Sequence, residues 1–129
     1  MKKKILIAED DPRVLNLYRL TLKEHFDLLE ATNGKRALEL AAAESPDLIV
    51  MDIVMPEMDG TEALRRLREA PATAMIPVIL LTGKAPQKDL LVGYNRETDY
   101  YITKPFTSAE LLEGVYQCLG KKDNPQARS

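Results

Sequence analysis

The stretch LIVMDIVMPEMDG, residues 48–60, decides the fold of this chain. Its first four residues are all apolar, which is typical of a strand that is covered on both faces of a parallel sheet. Asp52 follows directly, and a Met-Pro pair and an Asp-Gly pair then indicate a turning loop and the start of a helix. The sequence therefore predicts a core strand that carries one carboxylate at its carboxyl end.

Apolar segments of strand length recur along the chain and alternate with segments of helical period. The five predicted strands are residues 4–8, 27–31, 47–51, 77–82 and 99–103. Between them, apolar residues recur at spacings of three and four, as at Val14, Leu17, Tyr18 and Leu22. Five strands, each followed by a helix over a short connection, predict an α/β fold with an open, doubly wound, five-stranded parallel sheet and five helices.

Helix starts are indicated by residues that cap exposed backbone N–H groups. Asp11 before Pro12 is most simply the N-cap of the first helix, and Asn33 opens another. Thr107 and Glu110 have the spacing of a capping box in front of the last helix.

The chain has the size of one ordinary domain. Its 129 residues, 45% of them hydrophobic, are enough for a single buried core. We expect residues 1–120 to form this domain. Residues 121–129 are polar and have almost nothing to bury, so we expect a disordered tail or the start of a linker.

Composition restricts location and partners. The net charge of -2 gives no general field that would hold nucleic acid or an anionic membrane, so we expect neither as a direct partner. No stretch approaches a membrane span, and Glu9 interrupts the only apolar run near the amino terminus too early for a signal peptide. Cys118 is the single cysteine, which excludes an internal disulfide and favours a cytoplasmic location.

Polar residues follow four of the predicted strands. Glu9 and Asp10 come after the first strand, Asp52 after the third, Thr82 ends the fourth, and Lys104 follows the fifth. In an open parallel sheet, ligands bind beyond the carboxyl ends of the strands, near the point where the winding reverses. We therefore expect these side chains to meet at one edge of the sheet.

Such an acidic group needs a cation. Two unit charges about 4 Å apart repel by roughly 4 kcal/mol at an effective dielectric near 20. Carboxylate oxygens with room for water suit Mg²⁺, and the backbone carbonyl of Val54, two residues past Asp52, is placed to complete its shell. Lys104 adds a fixed positive charge; a structural salt bridge explains it in isolation, but the company of Thr82 favours a functional role.

These motifs together resemble those of a response-regulator receiver domain of two-component signalling, similar to the single-domain chemotaxis regulator. The resemblance covers residues 4–119 and implies the flavodoxin-like receiver fold. It is carried by ED at 9–10, MDIVMPEMDG at 51–60, LLTG at 80–83 and DYYITKPF at 99–106.

The resemblance implies a role for each site residue. Asp52 is expected to accept a phosphoryl group from a histidine kinase or a histidine phosphotransfer protein, with Thr82 and Lys104 contacting the phosphoryl oxygens. The implied Mg²⁺ ligands are Glu9, Asp10, Asp52 and the Val54 carbonyl. The domain would catalyse only its own phosphorylation and dephosphorylation, so it is not expected to be an enzyme for a separate substrate.

The resemblance also implies a switch. Thr82, drawn toward the phosphoryl group, would vacate space into which Tyr101 turns. This movement would change the face formed by the fourth helix, the fifth strand and the fifth helix, where a downstream protein target is expected to bind.

The sequence also bears on three other interpretations. A Mg²⁺-dependent aspartyl phosphatase of the haloacid-dehalogenase type would need a second aspartate two residues after Asp52, where this chain has Val54. An interaction module that is never phosphorylated would be expected to lose Asp52, Thr82 or Lys104, and all three are present. A receiver cut from a longer regulator with a DNA-binding or enzymatic output domain stays open, since the sequence does not indicate the output.

Overall fold

The computed structural model describes residues 2–83 and 100–120. Five parallel strands form one sheet in the order β2-β1-β3-β4-β5. The strands are β1 Lys3–Ala8, β2 Phe26–Ala31, β3 Leu48–Asp52, β4 Val78–Thr82 and β5 Tyr100–Thr103. The chain runs from β1 outward to β2 and then crosses back to β3, which confirms the predicted doubly wound sheet.

Four helices connect or follow these strands in the described residues. They are α1 Pro12–Leu22, α2 Gly34–Glu44, α3 Gly60–Glu69 and α4 Ser108–Leu119. The fourth of the five predicted helices falls on residues 84–99, outside the described residues, so the last predicted helix is labelled α4. The predicted tail, 121–129, also lies outside the described residues. None of the described helices combines the length and the apolar character needed to cross a bilayer.

The helix starts follow the predicted capping chemistry. The side chain of Asp11 accepts a hydrogen bond from the backbone N–H of Arg13 at 2.9 Å, and Asn33 caps α2 in the same way. Thr107 and Glu110 form the reciprocal capping box at the start of α4, with bonds of 3.1 and 2.8 Å. Each cap satisfies backbone donors that the first turn of a helix leaves without partners.

Two apolar layers cover the two faces of the sheet. Successive strand residues point to opposite faces, so Leu6 packs on the side of α2 and α3, and Ile5 packs on the side of α1 and α4. Residues 48–51 of β3 are fully buried, as the apolar run predicted.

β3 begins one residue later and ends one residue later than predicted. Asp47 lies just before the strand, where its N–H donates to the carbonyl of Lys4 at 2.8 Å and its carboxylate accepts the N–H of Lys4 at 2.8 Å. At the other end, Asp52 is itself the last residue of β3 and pairs with Leu81 of β4. The residue that carries this carboxylate is therefore held by the ladder of the sheet and not by a loop.

Candidate functional site

Three carboxylates meet at the carboxyl edge of the sheet. Glu9 and Asp10 follow β1, Asp52 ends β3, and one oxygen from each of the three lies within 4.8 Å of the others. Glu9 is 0% exposed and Asp52 is 5% exposed, whereas Asp10 is open to solvent. The group is therefore a half-buried acidic pocket with one exposed wall.

Lys104, which directly follows β5, brings a positive charge to this pocket. Its Nζ lies 2.7 Å from Oδ2 of Asp52 and 3.4 Å from Oε1 of Glu9. Its backbone N–H donates to the carbonyl of Thr82 at 2.7 Å, which fixes the start of the loop after β5 against the end of β4. One ammonium group thus faces two buried carboxylates.

The electrostatics of the pocket are dominated by burial. Burial raises the pKa of Glu9, and the charge of Asp52 adds to this, although the N–H of Asp11 and the ammonium of Lys104 oppose it. Burial on its own lowers the pKa of Lys104, but the hydrogen bond and the charge of Asp52, with those of Glu9, outweigh it and leave that pKa raised. Three carboxylates face one ammonium, so negative charge is in excess.

The loop after Asp52 is pinned back onto the end of its own strand. The N–H of Val54 donates to Oδ1 of Asp52 at 3.2 Å, and the N–H of Gly60 donates to the carbonyl of Ile53 at 2.7 Å. A Cβ atom on Gly60 would collide with the backbone carbonyl oxygen of Asp52, so only glycine permits this close return of the chain. The side chain of Val54 is 75% exposed, which leaves the mouth of the pocket open beside it.

Thr82 and Tyr101 occupy the neighbouring strands. Thr82 is the half-buried last residue of β4, and it pairs with Thr103 of β5. Tyr101 packs against the apolar layer on the side of α2 and α3, and Tyr100 packs against the opposite layer, as alternation along a strand predicts.

The structure therefore brings together four of the predicted site residues in direct proximity: Glu9, Asp10, Asp52 and Lys104. Thr82 is joined to this group through the backbone of Lys104. The ligand role of the Val54 carbonyl and the switch role of Tyr101 stay predictions.

Tyr18 belongs to the site although its sequence position indicated only helix packing. Its side chain is 0% exposed, and its hydroxyl lies 3.4 Å from Oε1 of Glu9. Its ring stacks on that of Phe106, with 5.6 Å between the ring centroids. The one sequence signal for this contact was that Tyr18 places a hydroxyl on the apolar stripe of the helix that follows Glu9 and Asp10.

An open parallel sheet with an acidic pocket and a lysine at its carboxyl edge is the arrangement that the receiver resemblance implied. The family model described as "Response regulator receiver domain" matches residues 5–116. This chain belongs to that family.

Two curated relatives illustrate the contexts in which similar chains occur. The alkaline phosphatase synthesis transcriptional regulatory protein PhoP of Bacillus subtilis is 37% identical over 124 residues, which are 95% of this chain and 51% of that protein. Histidine kinase P4 of Formosa agariphila is 41% identical over 127 residues, 98% of this chain and 9% of that protein. The chain thus spans about half the length of the first relative and a small part of the second.

A solved structure supports the fold independently. The receiver domain of the sensor histidine kinase PA1611 of Pseudomonas aeruginosa superposes with a TM-score of 0.84 at 28% identity, over 93% of this chain and 99% of that one. That structure is described as having a magnesium ion coordinated in the active site cleft.

Proposed function

We propose that Asp52 accepts a phosphoryl group from a histidine kinase or a histidine phosphotransfer protein in a Mg²⁺-dependent reaction. One observation carries the proposal. The carboxylate of Asp52 lies within 4.8 Å of those of Glu9 and Asp10 and at 2.7 Å from the ammonium of Lys104. A single side chain thus faces both a candidate metal site and a fixed positive charge.

The pocket fits Mg²⁺ in chemistry and in charge. Hard carboxylate oxygens are the ligands that this ion prefers, and the exposed side of Asp10 leaves room for the waters that it retains. Glu9, Asp10, Asp52 and the Val54 carbonyl would hold the ion. When bound, it neutralises charge on the phosphoryl oxygens. The excess of negative charge in the pocket and the magnesium in the PA1611 receiver support this assignment.

The side chains of the chain itself perform the transfer. An oxygen of Asp52 attacks the phosphorus, the bond from phosphorus to the donor histidine nitrogen breaks, and its electron pair stays on the imidazole. Lys104, now on Oδ2 of Asp52, turns to a phosphoryl oxygen and neutralises it. The Thr82 hydroxyl donates to another. Water later cleaves the acyl phosphate, so the chain catalyses its own phosphorylation and dephosphorylation and no other reaction.

The output of this reaction is a change of surface. Thr82 ends β4 and Tyr101 lies on the neighbouring β5, so a shift of Thr82 toward the phosphoryl group is passed to the adjacent strand. We propose that Tyr101 turns inward in response. The face of β5, α4 and the predicted helix before β5 would then bind a downstream protein, with phosphorylation biasing two existing states.

A receiver within a longer regulator is the second candidate function. It is favoured by the 51% of PhoP that the matching residues span. In this case residues 1–120 form the receiver, 121–129 begin a linker, and a DNA-binding or enzymatic output domain follows. Cys118 is the single cysteine of the chain, so no internal disulfide can form, which supports a cytoplasmic location in either case.

Intact mass spectrometry after incubation with acetyl phosphate and Mg²⁺ tests the phosphorylation site. We expect one phosphoryl adduct on the wild type and none on Asp52→Ala. Asp27→Ala is the matched control because Asp27 is an exposed aspartate on β2, away from the pocket, and it should gain the adduct. Adducts on both wild type and Asp52→Ala, or on neither, would contradict the proposal.

A further inference from the structure

We propose that Tyr18 is a positioning residue of this site, which orients Glu9 for the cation and supports the loop that carries Lys104. The inference rests on the proposed function and adds to it a residue outside the motifs that carry the receiver resemblance. It follows from three observations: the hydrogen-bond partner of the Tyr18 hydroxyl, the small number of donors to Glu9, and the contact that the Tyr18 ring makes.

The hydroxyl of Tyr18 is buried beside one acceptor. The side chain is 0% exposed and lies in the apolar layer between the sheet and α1. Within residues 2–83 and 100–120, the hydroxyl donates a hydrogen bond to Oε1 of Glu9 at 3.4 Å. A buried hydroxyl left without a partner is destabilising, so packing alone would favour phenylalanine here. The carboxylate of Glu9 is the physical reason for a tyrosine.

Glu9 in turn depends on few donors. It is 0% exposed, its Oε2 accepts the N–H of Asp11 at 3.1 Å, and its Oε1 faces Tyr18 and Lys104, each at 3.4 Å. The shorter contact of Lys104, 2.7 Å, goes to Asp52. When Lys104 turns to a phosphoryl oxygen, Tyr18 remains as the donor on Oε1. A neutral hydroxyl holds that oxygen without adding a charge that repels Mg²⁺.

The ring of Tyr18 contacts the loop that carries Lys104. It stacks on Phe106 with 5.6 Å between centroids and an angle of 16° between the planes. Phe106 follows Lys104 by two residues, so the stack supports the loop on which Lys104 sits. One side chain therefore contacts both the acidic side and the basic side of the pocket, through different atoms.

Two substitutions separate these contacts. Tyr18→Phe removes the hydroxyl and keeps the ring, and Phe106→Leu removes the stack and keeps the hydroxyl. We expect Tyr18→Phe to weaken Mg²⁺ binding about three- to tenfold and to leave the phosphorylation rate at saturating Mg²⁺ within about twofold of wild type. We expect Phe106→Leu to show the reverse: an unchanged Mg²⁺ dissociation constant and a rate reduced about three- to tenfold.

Titration of backbone amide NMR shifts with Mg²⁺ gives the dissociation constant, and acetyl phosphate with intact mass detection gives the rate. Tyr116→Phe is the matched control, because Tyr116 packs in the same apolar layer as Tyr18 and its ring lies against that of Phe26. Its Mg²⁺ affinity should equal that of wild type. Thermal unfolding verifies that each variant is folded.

The outcomes distinguish this inference from the proposed function. If wild type binds Mg²⁺ and is phosphorylated, but Tyr18→Phe has the same Mg²⁺ dissociation constant as wild type and Tyr116→Phe, the positioning role is wrong and the proposed function stands. Equal losses in Tyr18→Phe and Tyr116→Phe would also overturn it, since a general packing effect would then explain them. A wild type that is not phosphorylated refutes the proposed function itself.

Discussion

Two groups of charged side chains in this molecule behave in opposite ways. The pocket at the sheet edge buries Glu9 and Asp52 against one ammonium group, that of Lys104. The second group, on the solvent side of α3, consists of Glu62, Arg65, Arg66 and Glu69. In that group every carboxylate has an arginine partner, and every side chain is at least one third exposed.

The pKa values record this difference. Hydrogen bonds from Arg65 and Arg66 lower the pKa of Glu62 to about 2. Burial raises the pKa of Glu9. The pKa of a glutamate thus shifts in opposite directions at the two sites. On α3, exposed arginines stabilise the charged form of Glu62, whereas in the pocket burial destabilises the charged form of Glu9 more than the one ammonium stabilises it. The pocket is therefore electrostatically unfavourable on its own, as a site for a divalent ion should be.

The largest expected effect comes from removing the one ammonium of the pocket. Lys104→Ala leaves two buried carboxylates without a cation, so we expect the free energy of unfolding without Mg²⁺ to fall by about 2 kcal/mol. Urea denaturation followed by circular dichroism measures this. Added Mg²⁺ should stabilise the variant more than it stabilises wild type, since the ion replaces the missing charge. A variant as stable as wild type in the absence of Mg²⁺ would show that the pocket is not short of positive charge.

Removing a buried carboxylate should have the opposite sign. Folding raises the pKa of Glu9 above its ordinary value of 4.5, so the folded state holds that proton more readily than the unfolded state. The stability associated with this group is therefore greatest at low pH and is lost as the pH rises through the folded pKa. At neutral pH without Mg²⁺ we expect Glu9→Gln to be more stable than wild type by about 1 kcal/mol.

The same denaturation series checks this, with Glu24→Gln as control because Glu24 is an exposed residue beyond the end of α1. Glu24→Gln should leave stability unchanged. Mg²⁺ should stabilise Glu9→Gln less than wild type, since a neutral amide is a weaker ligand. Destabilisation by Glu9→Gln at neutral pH would mean that Glu9 is fully compensated by its donors.

The smallest effect is expected on α3. The lowered pKa of Glu62 contributes stability that is present above pH 4.5 and is lost as the pH falls through about 2. Glu62→Gln should therefore be slightly less stable than wild type at neutral pH, and the difference should vanish in acid. High salt should also remove it, because exposed pairs are screened. Denaturation at pH 7 and at pH 2, each at low and high salt, tests this, and a difference that persists in acid would contradict it.

Much of the fold and of the pocket could be predicted from the sequence because both depend on short-range patterns. The all-apolar run before Asp52 predicted a strand covered on both faces, and the end of such a strand lies beside the ends of its neighbours. This logic places Asp52 near Lys104, which is 52 residues away in the chain. The bounds of β3 shifted by one residue, and Asp47, just before the strand, bonds through its side chain to Lys4, 43 residues away in the chain.

The burial and the bonding partners of individual site side chains could not be predicted. Glu9 and Asp10 are adjacent and of the same charge, yet one is buried and the other exposed, because successive residues leaving a strand point in opposite directions. Helical period placed Tyr18 on the buried face of α1, but it gave no indication that the hydroxyl would meet Glu9. Such contacts depend on how far a helix extends along the sheet, which a periodic pattern does not specify.

The most direct test of the account is to locate the phosphoryl group after reaction with acetyl phosphate and Mg²⁺. Borohydride reduces an acyl phosphate on aspartate to homoserine, and tandem mass spectrometry of a digest identifies the converted position. We predict homoserine at position 52 alone, formed only when Mg²⁺ is present. Conversion at another carboxylate, or equal conversion at Asp52 in the presence of a chelator, would contradict the claim that this pocket joins a cation to phosphoryl transfer.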